Sequence, residues 1–393
     1  MNASLKHFAR RAAGVVLWLF CALLALAARV RHGRQPYQPE NIDRILIIRL
    51  DLIGDLLFSV PAMRNTRQRF PDARLDVLVA PSTAPLLAEC PHINNVYTLD
   101  EHTLTHLPGL FSLDQWRQAW WLIRTLRAQR YDLCLSLYGV PAGTVSLLTG
   151  APHRAGYADE APPGSFNLLA VGSRLPQDRH EVHCALAVAQ AAGAAPTRAH
   201  MEAWVSASDR AWAEETLFAE EDMQWVACGH GARNGYAKIW PQRHWVNLID
   251  QLHQAGYRAV LVGGPDEVEE AAAIAESCDT TPLVLTGKTT LGQLAAVLAQ
   301  CTLMVGSDSG PLHLAVALGT RVVGLYGPTS TVRYGPFGQP DAVRRHPIFC
   351  SPCYRPETGR PATCRFGTVE CMEKLEPAQV LAGVHPAKED AGQ

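Results

Sequence analysis

Residues 302–328 read TLMVGSDSGPLHLAVALGTRVVGLYGP and hold the densest chemistry in the chain. An apolar run from Leu303 to Val305 reads as a buried strand, broken by Gly306-Ser307-Asp308-Ser309-Gly310. Pro311 follows, and apolar periodicity continues to Leu318. Proline favours the first turn of a helix, and Ser or Gly just before it caps one well. The spacing predicts strand, tight loop, helix, then a second strand over Val322 to Leu325. A helix N-terminus facing a crevice presents N–H groups and a positive dipole end, which suits a diphosphate. Ser309 and the amides of Gly310 to Leu312 can stabilise negative charge there, and His313 falls on the first turn. The competing reading is an ordinary strand–helix–strand unit with a glycine turn.

A second set of charges lies in RLDLIGD, residues 49–55. Ile45 to Leu50 is an apolar run interrupted by Arg49, as expected of a buried parallel strand. Asp55 sits where the following loop meets a helix. A carboxylate there can take the proton from a hydroxyl nucleophile as a bond forms. It can equally do no more than cap the helix, and Asp51 is a rival base. Arg49 closes the strand, and a charge in such a place needs a partner. That partner is Asp51 or Asp55, or else a ligand phosphate. Near the C-terminus Cys350, Cys353, Cys364 and Cys371 are spaced C-x2-C-x10-C-x6-C. Four thiolates can bind structural zinc, although the second pair lacks the tight spacing of a zinc knuckle. Free thiols are one alternative, and a disulfide or another cluster is the other.

The elements that must carry these groups alternate. In the first half, strands are predicted over Ile45–Leu50, Leu75–Val79 and Leu133–Leu137. Helices are predicted from about Asp55, where Pro61 should end or kink the first part, over Asp114–Gln129 and from His183 to Ala192. Trp116, Trp120, Leu122 and Ile123 are spaced for the packed face of the second helix. Thr98 to Leu113 reads as an irregular insertion. In the second half, strands over Trp225–Cys228 and Ala259–Val262 precede glycine-containing loops, Gly229–Gly235 and Gly263-Gly264-Pro265. Helices follow over Trp245–Gln254, Glu267–Glu276 and Leu291–Ala299. Such alternation argues for two doubly wound α/β domains, whose ligands bind at the carboxyl ends of the strands. The boundary is expected near Ala195–Met201.

DSGPLHLAVALGTRVVGLYGPT resembles the donor-binding signature of glycosyltransferase family 9, the ADP-heptose:lipopolysaccharide heptosyltransferases and their relatives. RILIIRLDLIGDLLFSVPAMRNTRQRFPDARLDVLV (44–79) resembles the family's first strand, Gly-Asp loop and first helix. HRAGY (153–157), Lys238-Ile239-Trp240-Pro241 and LTGKTTLGQLAAVLAQC (285–301) match further motifs in the expected order, so the likeness spans roughly residues 42–380. The resemblance implies a GT-B fold, two Rossmann-like domains facing a central cleft. The acceptor would bind on the first (42–198) and the donor on the second (199–345), between an N-terminal region (1–41) and a Cys-rich segment (346–393). It implies inversion at the anomeric carbon by a single displacement, with Asp55 as base. It also implies an ADP-heptose-type nucleotide-sugar donor, a lipid-linked saccharide acceptor and no metal or other cofactor. The donor contacts it suggests are Lys238, Glu267, Asp308, Ser309, Gly310 and His313, with Asp266 competing for the place of Glu267. Those to the acceptor are Arg49, Gly54 and Arg154.

The rest of the chain narrows the choice. Its 393 residues are 48% hydrophobic and carry a net charge of −2, which supplies two cores and no basic excess for nucleic acid. No G-x-G-x-x-G follows the first predicted strand, against a dinucleotide oxidoreductase. Ala12 to Ala28 is free of charge and flanked by arginines. Seventeen helical residues span about 25 Å, short for a bilayer. A signal-anchor or membrane-dipping helix, a cleaved signal peptide and a docking helix compete for this segment. The first fits an enzyme acting on a lipid-linked acceptor at the cytoplasmic face of the inner membrane. Cytosolic placement also argues against stable disulfides. Two other functions remain open: a nucleotide-sugar epimerase or hydrolase on the same scaffold, and a membrane-anchored binding protein without turnover.

Overall fold

The structure is a computed structural model that describes residues 22–27, 30, 36–100, 113–176, 178–218, 224–232, 235–355 and 363–384. It forms two compact units, Met1–Ala199 and His200–Gln393. Most of the Thr98–Leu113 insertion and the start of the apolar segment Ala12–Ala28 lie outside the described residues. Within that segment, residues 22–27 are helical, and Ala25 packs against Leu147 while Leu23 and Leu26 are exposed. Among the described residues no helix is long and apolar enough to cross a membrane.

The first unit is built from β1 (Arg44–Arg49), α1 (Ile53–Arg69), β2 (Arg74–Val79), β3 (Asn95–Thr98), α2 (Leu113–Ala128), β4 (Leu133–Ser136), α3 (Gly139–Thr149), β5 (His153–Gly156), β6 (Leu168–Leu169) and α4 (Glu181–Ala191). Its sheet has the order β3-β2-β1-β4-β5-β6, with every pairing parallel. Ile45 to Ile48 are all fully buried because helices cover both faces of the sheet. Leu46 and Ile48 pack towards α2 and α3 with Leu122, Leu126 and Val145. The intervening Ile45 and Ile47 point to the opposite face, as the strand's two-residue period requires. Residues before β1 also dock here, since Tyr37 donates to the Ala192 carbonyl at 2.7 Å.

Two local expectations fail. α1 does not end at Pro61 but continues to Arg69. Proline in a helix interior costs about 3 kcal/mol, but Val60, Pro61, Ala62 and Met63 are all buried, and burial outweighs propensity here. On α2, Trp120 is exposed and lies under Arg124, with Trp121 exposed beside it. The buried face is Ala119, Leu122 and Leu126, a helical stripe that avoids the tryptophans. The side chain of Trp116 lies outside the described residues.

The second unit repeats the architecture. Its elements are α5 (Ala207–Thr216), β7 (Gln224–Gly229), α6 (Gln242–Gln254), β8 (Tyr257–Val262), α7 (Val268–Ser277), β9 (Leu283–Val284), α8 (Leu291–Gln300), β10 (Leu303–Ser307), α9 (Gly310–Ala317), β11 (Arg321–Leu325), α10 (Thr331–Tyr334), β12 (Val343–Arg344), α11 (Glu370–Glu373) and α12 (Pro377–Val384). The parallel order β12-β11-β10-β7-β8-β9 is the first unit's order again, counted from β7. Part of the Cys-rich segment belongs to this core. Cys371, Met372, Leu375, Val380 and Val384 pack with Trp240, Trp245 and Leu325.

The HRAGY stretch has a packing explanation. A Cβ on Gly156 would lie 2.6 Å from the ring of Phe166, which also reaches Gly143. Phe166 is itself buried. Overpacking of this kind costs about 1–3 kcal/mol. Gly156→Ala is therefore expected to lower the thermal midpoint measurably without changing the far-ultraviolet circular dichroism. An unchanged midpoint would show that the ring moves aside freely.

Candidate active site

In a sheet of this order the strand sequence reverses direction between the first and fourth strands, and ligands bind in the crevice at their carboxyl ends. In the first unit that point lies between β1 and β4. Arg49, the last residue of β1, is only 1% exposed there. Its Nε lies 2.7 Å from Asp51 Oδ2, and its Nη2 lies 3.0 Å from Asp55 Oδ1 and 3.9 Å from Glu181 Oε1. Its Nη1 donates to the Leu137 carbonyl just past β4, at 3.3 Å. Burial alone would lower the basicity of this guanidinium, but Asp51, Asp55 and Glu181 outweigh that and raise it. Arg49 is thus a buried, paired cation that orients Asp55. It is not an open ligand for an acceptor phosphate.

Asp55 and Gly54 lie in the first turn of α1, which begins at Ile53 and so takes in part of the expected loop. Asp55 keeps 27% of its side-chain exposure, against 17% for Asp51. Asp55 is not the N-cap residue, which is Leu52, and lies inside the first turn. Of the two rivals, Asp55 is better presented to a substrate.

Sequence reasoning missed the shell behind this pair. Arg174, almost fully buried, holds both Glu181 oxygens at 2.5 Å and places its Nε 3.3 Å from Glu160 Oε1. It also donates to the Leu137 carbonyl, at 2.5 Å, so both arginines share that acceptor. The ring of Tyr138 lies beneath both guanidiniums, 5.1 Å from Arg49 and 4.6 Å from Arg174. The signal was faint, a lone carboxylate at the head of the apolar helix EVHCALAVAQA. Arg154 is separate from this group. Buried to 3%, it donates to the carbonyls of Ser165 and Ala151 at 2.7 and 2.6 Å, and burial lowers its basicity. Its guanidinium is committed to main chain, so the acceptor role expected for it gives way to a structural one.

In the second unit the reversal lies between β7 and β10. Asp308 follows β10 directly, and Ser309 and Gly310 begin α9. Gly306 and Ser307 continue the strand rather than break it. Lys238 Nζ lies 2.8 Å from Asp308 Oδ2, and His313 Nε2 lies 3.0 Å from Oδ1. All three residues are buried. Burial would raise the Asp308 pKa, but Lys238 and His313 together hold it well below the carboxylate range. Ser309 offers no side-chain cap to α9, so the first-turn N–H groups there await another acceptor.

Glu267 completes this edge, beyond β8. Its Oε2 accepts from the Gly264 N–H at 2.9 Å. Cβ atoms on Gly231 and Gly263 would stand 1.9 and 2.2 Å from its carboxylate, so these glycines leave the room it occupies. Asp266 is exposed, and Glu267 is the carboxylate turned over the strand ends. His230, fully buried after β7 with Nε2 3.3 Å from Thr286 Oγ1, was not anticipated. The expected Gly229–Gly235 loop includes residues 233 and 234, which lie outside the described residues. Of the four clustered cysteines Cys353 is exposed and Cys371 buried, and all are free thiols. Burial pushes Cys371 up to about 11, with Cys353, Cys350 and Cys364 adding to the rise. Among the described residues no group of histidines, cysteines or carboxylates is placed to hold a metal, which leaves the zinc alternative without ligand geometry.

Comparison with known proteins places the chain in a family. The model of glycosyltransferase family 9 (heptosyltransferase) matches residues 119–361, more than half of the chain. The chain belongs to glycosyltransferase family 9. It is 29% identical over 294 residues to lipopolysaccharide heptosyltransferase 3 of Escherichia coli, covering 72% of this chain and 82% of that one. Lipopolysaccharide heptosyltransferase 2 of the same organism is 28% identical over 303 residues, covering 73% and 83%. The solved structure of E. coli ADP-heptose LPS heptosyltransferase II superposes with a TM-score of 0.69 at 25% identity, covering 87% of this chain and 97% of that one. E. coli heptosyltransferase WaaC with ADP-2-deoxy-2-fluoro heptose shares the fold at a TM-score of 0.65 and 22% identity, covering 87% and 98%. This family 9 member is a glycosyltransferase, built as two parallel-sheet α/β domains similar to the heptosyltransferase GT-B fold.

Two outcomes follow from the geometry. Burial first, and then the neighbouring Glu181 charge, raise the Glu160 pKa to about 7 despite Arg174. Between the ordinary 4.5 and about 7 the folded state holds a proton that the unfolded chain has released, so stability falls as pH rises through that window. Glu160→Gln is expected to be more stable than the parent at pH 8, by up to about 3 kcal/mol. The gain should vanish near pH 4.5, and parallel melting curves across this range would refute it. On the second unit, Gly231→Ala is expected to push the Glu267 carboxylate aside. If this edge binds the nucleotide, Gly231→Ala and Glu267→Ala should weaken that binding alike, with little change in melting temperature, and calorimetric titration reads this directly.

Proposed function

We propose that this glycosyltransferase moves heptose from ADP-heptose to a lipid-linked saccharide of the lipopolysaccharide core, with inversion and without a metal. The observation that carries the donor half is the Lys238–Asp308–His313 cluster beside the uncapped start of α9. Displacement of the sugar leaves new negative charge on the diphosphate. An ammonium and unsatisfied amides already in place stabilise such charge without reorganisation. Glu267, in the turn beyond β8, suits the ribose hydroxyls. The names of the relatives supply the sugar, since those described are heptosyltransferases and one was solved with an ADP-heptose analogue.

The acceptor half rests on Asp55. Arg49 holds its Oδ1 and fixes its direction, while part of the carboxylate stays open to solvent. The acceptor hydroxyl gives its proton to Asp55 as its oxygen attacks the anomeric carbon from the face opposite the diphosphate. One displacement of this kind inverts the centre and needs no covalent enzyme intermediate. We place the reaction at the cytoplasmic face of the inner membrane. The uncharged stretch Ala12–Ala28, flanked by arginines, supports this, because tethering concentrates an enzyme near a lipid-linked acceptor.

Asp55→Asn preserves shape and removes the base. Transfer should fall by roughly 10²–10⁴-fold, while the ADP dissociation constant stays within about twofold. Retained turnover would discard Asp55 as the base. Titration of the purified protein with ADP, UDP, GDP and ADP-heptose, EDTA present, checks the donor. Selective binding of ADP and ADP-heptose is expected, and a preference for UDP or GDP would discard heptose. Release of sugar without any acceptor would favour an epimerase or hydrolase instead.

A further inference from the structure

The Cys-rich segment is pinned at residues 351–354 and again at Cys364 to the loops that form the second unit's site, and this inference rests on reading that site as the donor site. At one end, the N–H groups of Cys353 and Tyr354 both donate to the Pro328 carbonyl at 2.9 Å. Ser351 Oγ donates to the Gly327 carbonyl at 2.5 Å. Gly327 is itself closed in from behind, since a Cβ there would stand 2.6 Å from Met372 Sδ and 2.9 Å from Cys371 Sγ. At the other end, the Tyr236 hydroxyl donates to the Cys364 carbonyl at 3.3 Å and accepts from the Cys364 N–H at 3.2 Å. Tyr236 begins the short turn that carries Lys238.

These anchors place the ring of Tyr354 over Lys238, with Nζ 4.9 Å from its centroid. The ammonium therefore has partners of different kinds, the Asp308 carboxylate at 2.8 Å and main-chain carbonyl at 3.3 Å on one side and an aromatic face on the other. Asp308 alone would draw the ammonium wholly into a tight ion pair. An aromatic face attracts a cation without neutralising it and offers no atom that a phosphate would have to displace. A lysine shared between the two keeps a defined position while remaining able to meet an incoming diphosphate.

We propose that Tyr354 is a positioning residue for Lys238, and that the Cys-rich segment is a wall of the donor site through it. No part of this is visible in the spacing of the cysteines. The tyrosine acts on donor phosphate through the lysine, so its effect should depend on the lysine being present. It should also depend on the ring rather than on the hydroxyl.

The test uses the full chain and compares Tyr354→Phe and Tyr354→Leu, each with Lys238 present and in a Lys238→Met background. Tyr354 is only half-buried, so thermal melts of the four variants serve as a check on folding. With Lys238 present, Tyr354→Leu should raise the ADP dissociation constant and the donor KM by roughly two- to thirtyfold, as expected for loss of a cation–π contact. The acceptor KM should stay unchanged, and Tyr354→Phe should remain close to the parent. In the Lys238→Met background, Tyr354→Leu should add no further loss. An unchanged donor KM in Tyr354→Leu, or an equal penalty in both backgrounds, overturns the inference while leaving the donor site in place. Absence of nucleotide binding by the unsubstituted protein overturns the donor-site reading and this inference with it.

Discussion

Burying an arginine at the end of a central strand constrains the first unit more than any other contact. Taking a guanidinium out of water costs several kcal/mol unless ion pairs and hydrogen bonds replace the lost solvent. Arg49 lies where β1 ends and water would otherwise enter, yet it is almost fully buried. Asp51, Asp55, Glu181 and the Leu137 carbonyl must converge on it. Glu181 in turn draws in Arg174, which brings Glu160 and closes over Tyr138. Each added charge meets the demand left by the one before. The outermost of the chain, Glu160, is the one whose demand is least well met, which is why its pKa rises towards neutrality.

The second unit solves the same problem with the opposite charge at the centre. Asp308 is the buried group at the strand end, and a lysine and a histidine converge on it. The difference suits the chemistry proposed for each half. An anion-centred cluster can pass its lysine to a diphosphate. A cation-centred cluster with carboxylate arms can hold a base ready to accept a proton. The two units share one strand order, so their sites fall at equivalent points of the sheet, and only the local charges distinguish their roles.

Much of the second site was legible because its residues are contiguous or nearly so. Asp308, Ser309, Gly310 and His313 lie within six positions, and strand and helix periods place them together before any tertiary contact is known. The pairing of Arg49 with Asp51 and Asp55 was legible for the same reason. Arg174, Glu160 and Tyr138 were not, because each reaches the cluster from a different strand end. Arg154 misled because a motif match carries residue type and position but not the direction of the side chain. The helix end expected at Pro61 and the buried place expected for Trp120 misled because local propensity yields to burial when packing on the core is worth more.

The sequence by itself determined the alternation of elements, and hence two parallel sheets with helices on both faces. Hydrophobic period and turn residues are local properties, and the connection rules of parallel sheets leave few ways to assemble them. It also determined which short segments carry reactive groups. Only the tertiary structure decided which of those groups are spent on holding the fold and which remain presented to a ligand. That distinction depends on burial and on partners distant in the chain, as with Arg154 on its carbonyls and Tyr354 over Lys238. Desolvation and charge pairing are set by neighbours in space, and the spacing of residues along the chain does not encode them.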